Sequence, residues 1–123
     1  TMLRLAKERN ELLVVIDQIG SPTYARDLAQ TILEIIEKIK NRKVEVFHYS
    51  NLGVCSWYDF ARAIFEIKDI KLKLSSIETS KYPTSAKRPN YSVLNKIKIK
   101  NNFNIEIPNW QDSLKEFLLN SSR

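Results

Sequence analysis

The chain has 123 residues, 43% hydrophobic and 28% charged, with a formal net charge of +6, two glycines, four prolines and a single cysteine. This composition predicts one globular domain spanning residues 1–123, long enough to bury a core, and excludes a collagen-like or disordered chain. One cysteine excludes an internal disulfide and a cysteine-rich metal site, and is consistent with a reducing compartment.

In chain order, Met2, Leu3 and Ala6 share a helical face, and no capping residue with room for an entering chain precedes them. The pattern therefore starts inside a helix, and the expectation is that further sequence lies upstream. Leu12 to Ile16 is a continuous, partly β-branched apolar run, which predicts a short strand buried on both faces. Asp17 to Thr23 gathers turn formers into a loop. Ala25, Leu28, Ala29, Ile32, Ile35, Ile36 and Ile39 then repeat at helical spacing, predicting a helix from Tyr24 to Lys40 capped by Thr23.

Val44 to Tyr49 reads as a second strand, with His48 as a structural residue inside it because no metal-ligand partner stands at a recognised spacing. Ser50 to Gly53 reads as a turn. Ser56-Trp57-Tyr58-Asp59 is an acidic variant of the capping box, opening a helix whose apolar stripe is Trp57, Phe60, Ala61, Ile64 and Phe65. Cys55, just ahead of it, reads as a small semi-buried side chain rather than a nucleophile. A third strand is predicted over Leu72 to Ile77, followed by a polar loop from Glu78 to Asn90 that carries Pro83 and Pro89. Lys96 to Lys100 fits either an alternating strand or a short helix capped by Asn95, and periodicity leaves both open. Asn109 caps a final helix with Trp110, Leu114, Phe117 and Leu118 on one face, ending near a polar tail at 120–123.

Alternating strands and helices predict an α/β fold, in which ligands bind at loops beyond the carboxyl ends of strands. A polar ligand is expected at the loops Asp17–Thr23 and Lys81–Ser92. Two glycines cannot build a dinucleotide fingerprint or a P-loop, and no triad or zinc motif is present. No catalytic residue and no metal ligand can be named. Tyr24, Tyr49, Tyr58 and Tyr82 each lack a lysine four residues later, so they read as half-buried aromatics. Lys87 and Arg88, in the proline-flanked loop, form the most suggestive charged pair, because a guanidinium grips phosphate through two parallel hydrogen bonds. Composition alone favours a solvated loop charge there.

The apolar runs are too short to span a bilayer, and the first residues do not form a secretory leader, so a cytoplasmic setting without membrane contact is expected. The net positive charge invites nucleic acid, but the lysines are scattered along 38–43, 68–73 and 96–100 and no nucleic-acid motif accompanies them. No nucleic-acid partner is expected.

Several segments together resemble the dTDP-4-dehydrorhamnose reductase family: Val15-Ile16-Asp17-Gln18-Ile19-Gly20-Ser21-Pro22-Thr23 running into Asp27-Leu28-Ala29, then His48-Tyr49-Ser50-Asn51, and Ser56-Trp57-Tyr58-Asp59-Phe60-Ala61. Tyr82-Pro83-Thr84-Ser85-Ala86-Lys87-Arg88-Pro89 with Ser92 and Leu94, and Trp110-Gln111-Asp112-Ser113-Leu114, continue the match in order. The resemblance implies the C-terminal, substrate-binding portion of an extended short-chain dehydrogenase with a Rossmann-type fold, most of the Rossmann domain missing. It implies a parent enzyme that reduces the 4-keto group of dTDP-4-dehydro-L-rhamnose with NADPH or NADH. The family's cofactor glycines, catalytic threonine and Tyr-x-x-x-Lys pair precede the matched region, so this chain alone is expected to be inactive.

By motif, Asp17, Gln18, Gly20, Pro22 and Thr23 are expected to border the sugar-nucleotide pocket. Lys87, Arg88 and Pro89 are expected to face its nucleotide or diphosphate end, with Arg88 as the leading candidate. Asn95 and Ser85 stand where the family often has Asp and Pro, which loosens the expectation for the final loop. The choice between NADH and NADPH, a need for Mg²⁺ and homodimerisation of the parent are left open by this segment. A stand-alone, non-catalytic sugar-nucleotide-binding module is the competing reading.

Overall fold

The computed structural model describes residues 1–40 and 43–120. Helix α1 spans Met2–Glu8 and lays Met2, Leu3, Leu5 and Ala6 on the core, while Arg4 pairs with Glu8 at 2.9 Å on its outer side. Strand β1, Glu11–Val15, runs parallel to a later strand, β4, Lys73–Ile77, in the register Glu11↔Lys73 to Val15↔Ile77. Between them in sequence come β2 (Ile19–Gly20), α2 (Ala25–Lys38), β3 (Cys55–Ser56) and α3 (Trp57–Ile67). After β4 follow a 3₁₀ turn at Thr79–Lys81, α4 (Ile97–Phe103) and α5 (Trp110–Asn120).

The main core forms where α3 and α5 cover one face of the β1–β4 pair. Leu12 and Val14 from β1 meet Ala61, Ile64 and Phe65 from α3 and Trp110, Leu114 and Leu118 from α5. Helix α3 begins as its sequence dictates: the Ser56 hydroxyl accepts from the Asp59 N–H at 3.0 Å, and the Asp59 carboxylate accepts from the Ser56 N–H at 3.1 Å. A second, smaller core gathers Ile99, Ile105 and Ile107 with Ile35, Phe47, Tyr49, Leu52 and Phe103.

Several expectations need correction. Strand β1 is covered on one face only among the described residues, since Leu13 is 54% exposed; burial alternates because helices pack on a single side. Residues 44–49 form no ladder, because no strand among the described residues lies alongside them. Their alternation survives: Phe47 and Tyr49 turn toward the second core while Val44, Val46 and His48 are exposed, so His48 is not a core residue. Trp57 also leaves its helix's apolar stripe and stands half exposed. Helix α2 buries Ile35 against the second core, but Ile32, Ile36 and Ile39 remain exposed among the described residues.

Helix α2 starts one residue later than predicted and Thr23 does not cap it. The cap is Tyr24, whose N–H donates to the Asn51 side-chain oxygen at 2.8 Å. Residues 97–103 resolve as a helix rather than a strand: the Asn95 side chain accepts from the Ile97 N–H at 2.9 Å, and Ile99 and Phe103, four apart, face the second core. The Asn109 side chain likewise accepts from the Gln111 N–H at 3.0 Å. The tail from 121 onward lies outside the described residues.

Asn51 is fully buried and joins three segments. Its amide nitrogen donates to Asp27 of α2 at 2.6 Å and to the Ser113 hydroxyl of α5 at 2.9 Å, and Ser113 in turn donates to Asp27 at 2.5 Å. Beside it, Leu52 exchanges backbone bonds with Pro108 and Trp110, at 2.9 and 3.0 Å. Gly53 follows at φ +82°, and a Cβ there would sit 2.8 Å from the Trp110 ring. Replacing Asn51 with Ala strands Asp27, Ser113 and the Tyr24 N–H, and is expected to cost about 2–3 kcal/mol in denaturant unfolding. Gln30→Ala, on the exposed side of α2, is expected to change stability by less than about 0.5 kcal/mol; equal losses for the two would contradict the assignment of Asn51 as a structural joint.

Candidate functional site

The carboxyl ends of the parallel strands β1 and β4 open side by side, and each leads into a polar loop. The two loops are clasped. Asp17, two residues past β1, accepts from the Thr79 N–H at 2.9 Å and from the Thr79 hydroxyl at 2.7 Å. Gln18 donates its side-chain amide to the same Thr79 hydroxyl at 3.1 Å. These bonds hold the Asp17 carboxyl below the ordinary aspartate range, against the opposing effect of desolvation.

Next, β2 pairs antiparallel with β3, and Ile19 also bridges Tyr91: the Ile19 N–H donates to Asn90 at 2.8 Å, and the Ser92 N–H donates back to Ile19 at 2.9 Å. This miniature three-strand junction was not visible in the sequence, because two-residue strands carry no periodicity. It brings the two loops expected to hold a ligand into direct contact, with Gly20 packed so closely that a Cβ would lie 3.2 Å from the Ser92 hydroxyl. The Ser21 hydroxyl donates to the Gly53 carbonyl at 2.7 Å, tying the first loop to the Asn51 turn.

The junction borders a pocket of about 190 Å³ with polar and apolar walls. Gln18, Gly20, Pro22 and Thr23, four of the five residues expected from the first loop, line it. Asp17 does not; its carboxylate is engaged by Thr79 instead. The rest of the wall comes from residues not singled out as ligand contacts, among them Ser50, Trp57, Ser92 and Leu94. Of these, only the exposed apolar Trp57 carried a usable signal, an aromatic one position into a helix. Lys87, Arg88 and Pro89 lie exposed on the loop that leaves the junction at Asn90 and stand outside the pocket wall. A second, apolar cleft of about 310 Å³ shares Pro22, Thr23 and Phe60 with the first and continues toward Trp110 and Phe117.

Cys55 lines this pocket but is buried, and burial with the neighbouring Asp59 carboxylate pushes its thiol up to about 11. It remains a protonated, weakly nucleophilic thiol. Burial raises the Tyr49 hydroxyl above the ordinary phenol range, with the opposing influence of the Thr31 hydroxyl smaller. No cluster of three or more metal-capable side chains occurs among the described residues, and none of their helices is long and apolar enough to cross a membrane.

The family model described as the RmlD substrate binding domain matches residues 1–123, the entire chain. The chain belongs to this family. A dTDP-4-dehydrorhamnose reductase of Aggregatibacter actinomycetemcomitans is 44% identical over 125 aligned residues, covering 94% of this chain and 42% of that protein. The spore coat polysaccharide biosynthesis protein SpsK of Bacillus subtilis is 42% identical over 118 residues, covering 96% of this chain and 40% of its own length. The crystal structure of a dTDP-4-dehydrorhamnose reductase from Bacillus anthracis in complex with NADP superposes with a TM-score of 0.88 at 37% identity, covering 97% of this chain and 41% of that one. The RmlD substrate-binding chain thus spans about two fifths of the length of its relatives. Its α/β architecture is the C-terminal portion of an extended short-chain dehydrogenase fold.

The residues present do not fit a dinucleotide cofactor. Both glycines are committed to packing, Gly20 against Ser92 and Gly53 against Trp110, so neither is free to admit a pyrophosphate to the backbone.

Two outcomes are expected. The Asp17 carboxyl should titrate by NMR below the model-peptide value of about 3.9, and Thr79→Val should return it toward that value. Because the folded group is the more acidic, the clasp contributes fully above the unfolded value and is lost as pH falls through the folded one; an unshifted titration would remove the clasp from the account. Cys55 should resist alkylation near neutral pH in the folded protein and react rapidly once denatured, whereas rapid labelling in the native state would contradict the protonated thiol.

Proposed function

We propose that this chain is the sugar-nucleotide-binding part of a dTDP-4-dehydrorhamnose reductase, whose complete form reduces the 4-keto group of dTDP-4-dehydro-L-rhamnose to give dTDP-L-rhamnose. The observation that carries the reading is the whole-chain family match, joined to a pocket that Gln18, Gly20, Pro22 and Thr23 help to line. The hydride comes from a nicotinamide cofactor held outside this chain. NADPH is favoured over NADH because the Bacillus anthracis relative carries NADP.

The role of this chain is binding and orientation. Gln18, Gly20, Pro22 and Thr23 form the floor against which the sugar nucleotide rests, and the Asp17–Thr79 clasp fixes the height of that floor. Lys87 and Arg88, followed by Pro89, reach over from the adjoining loop to the diphosphate. Arg88 offers the planar fork that matches phosphate oxygens. Binding energy from these remote contacts holds the reacting carbon in line with the hydride donor, so it contributes to rate as well as affinity. The reading carries a cytoplasmic setting, supported by Cys55 as the sole cysteine.

The alternative of a non-catalytic module shares the pocket and differs only in what accompanies it. In a protein expressed from the complete reading frame, dTDP-4-dehydro-L-rhamnose should drive consumption of NADPH. Arg88→Ala should weaken dTDP binding by about tenfold, the loss of one charge-assisted contact. Binding of dTDP without any NADPH consumption would favour the stand-alone module, and an unchanged affinity in Arg88→Ala would remove Arg88 from the site.

A further inference from the structure

Ser50 is buried, yet it lines the pocket at the junction. The Lys96 ammonium lies 3.1 Å from the Ser50 oxygen. An ammonium has three N–H donors and no acceptor, so the direction of this bond is fixed: Lys96 donates and Ser50 accepts. The Ser50 O–H is left to donate elsewhere, and no acceptor takes it among the described residues. The oxygen is already partnered by Lys96, so the O–H is free to serve an occupant of the pocket.

The surroundings specify the occupant. Lys96 is partly buried and forms no ion pair among the described residues, desolvation lowers its pKa, and its ammonium bonds a residue of the pocket wall. No carboxylate lines the pocket. The acids on adjoining segments are engaged elsewhere, Asp17 by Thr79, Asp59 by Ser56 and Asp27 by Asn51 and Ser113. A hydroxyl in the wall, an ammonium bonded to it and a wall free of acids together favour an anionic oxygen.

We propose that the Ser50 hydroxyl is a binding contact for one phosphate of the sugar nucleotide, and that Lys96 is the positioning residue that turns it toward the pocket while offsetting the phosphate charge. This rests on the sugar-nucleotide reading above and adds two residues to it. Neither was a candidate in the sequence, where Lys96 counted as one of several scattered surface lysines.

The test is calorimetric titration of dTDP into the protein and its Ser50→Ala, Lys96→Met, Lys96→Arg and double variants across a range of salt. Ser50→Ala and Lys96→Met should each weaken binding by about tenfold. The double variant should lose less than the product of the two, because Lys96 acts through Ser50. The salt dependence of binding should flatten in Lys96→Met and persist in Lys96→Arg, a response that a merely structural lysine would not produce. Should Ser50→Ala lower the melting temperature, Lys96→Met carries the test, since its side chain is partly exposed. Variants that bind dTDP with wild-type affinity and salt dependence overturn the inference and leave the sugar-nucleotide reading standing; a wild-type protein that binds no dTDP overturns both.

Discussion

A buried asparagine amide organises this molecule. Asn51 supplies the cap that α2 lacks in its own sequence, satisfies Asp27 on the first turn of that helix, and reaches Ser113 on α5. A hydrophobic side chain of the same size could fill the space, but it would strand a carboxylate, a hydroxyl and a backbone N–H that Asn51 satisfies. Fully paired, the network fixes the angle at which α2 leaves the Asp17–Thr23 loop and the position of the turn that carries Ser50 and Gly53. The pocket wall is made from those segments. Its shape is therefore set by a polar joint beside it rather than by the apolar core beneath α3.

The same logic separates what the sequence made legible from what it did not. The capping box at Ser56 and Asp59 and the cap at Asn109 were readable because each rests on interactions within a few residues. Thr23 was misread as a cap because its competitor, Asn51, lies 27 positions away from Tyr24 in sequence. The apolar alternation of residues 44–49 was real, yet alternation records which side chains face inward, not whether a partner strand is present. The both-faces burial expected for β1 failed for a related reason. A continuous apolar run does not say what covers each face within a given chain, and this chain spans only about two fifths of its relatives.

The candidate site followed a similar division. Gln18, Gly20, Pro22 and Thr23 were found through a contiguous motif and do line the pocket. Ser50 and Ser92 were not singled out as pocket residues because they come from separate segments, and only the junction at Ile19 brings Ser92 to Gly20. Asp17 has the right place and a different task, since its carboxylate secures the 3₁₀ turn after β4. Lys87 and Arg88 sit on the loop that departs from this junction, so their part depends on the ligand reaching out to them.

The central claim is that a sugar nucleotide rests at the junction where the loops after β1 and β4 meet. Backbone amide NMR of the protein titrated with dTDP-L-rhamnose tests it most directly. The account predicts saturable shifts concentrated at Gln18, Gly20, Thr23, Ser50 and Ser92, with α1 and the outer face of α2 unmoved. Shifts centred on the apolar cleft near Trp110 and Phe117, or no saturable shift at any concentration, would contradict it.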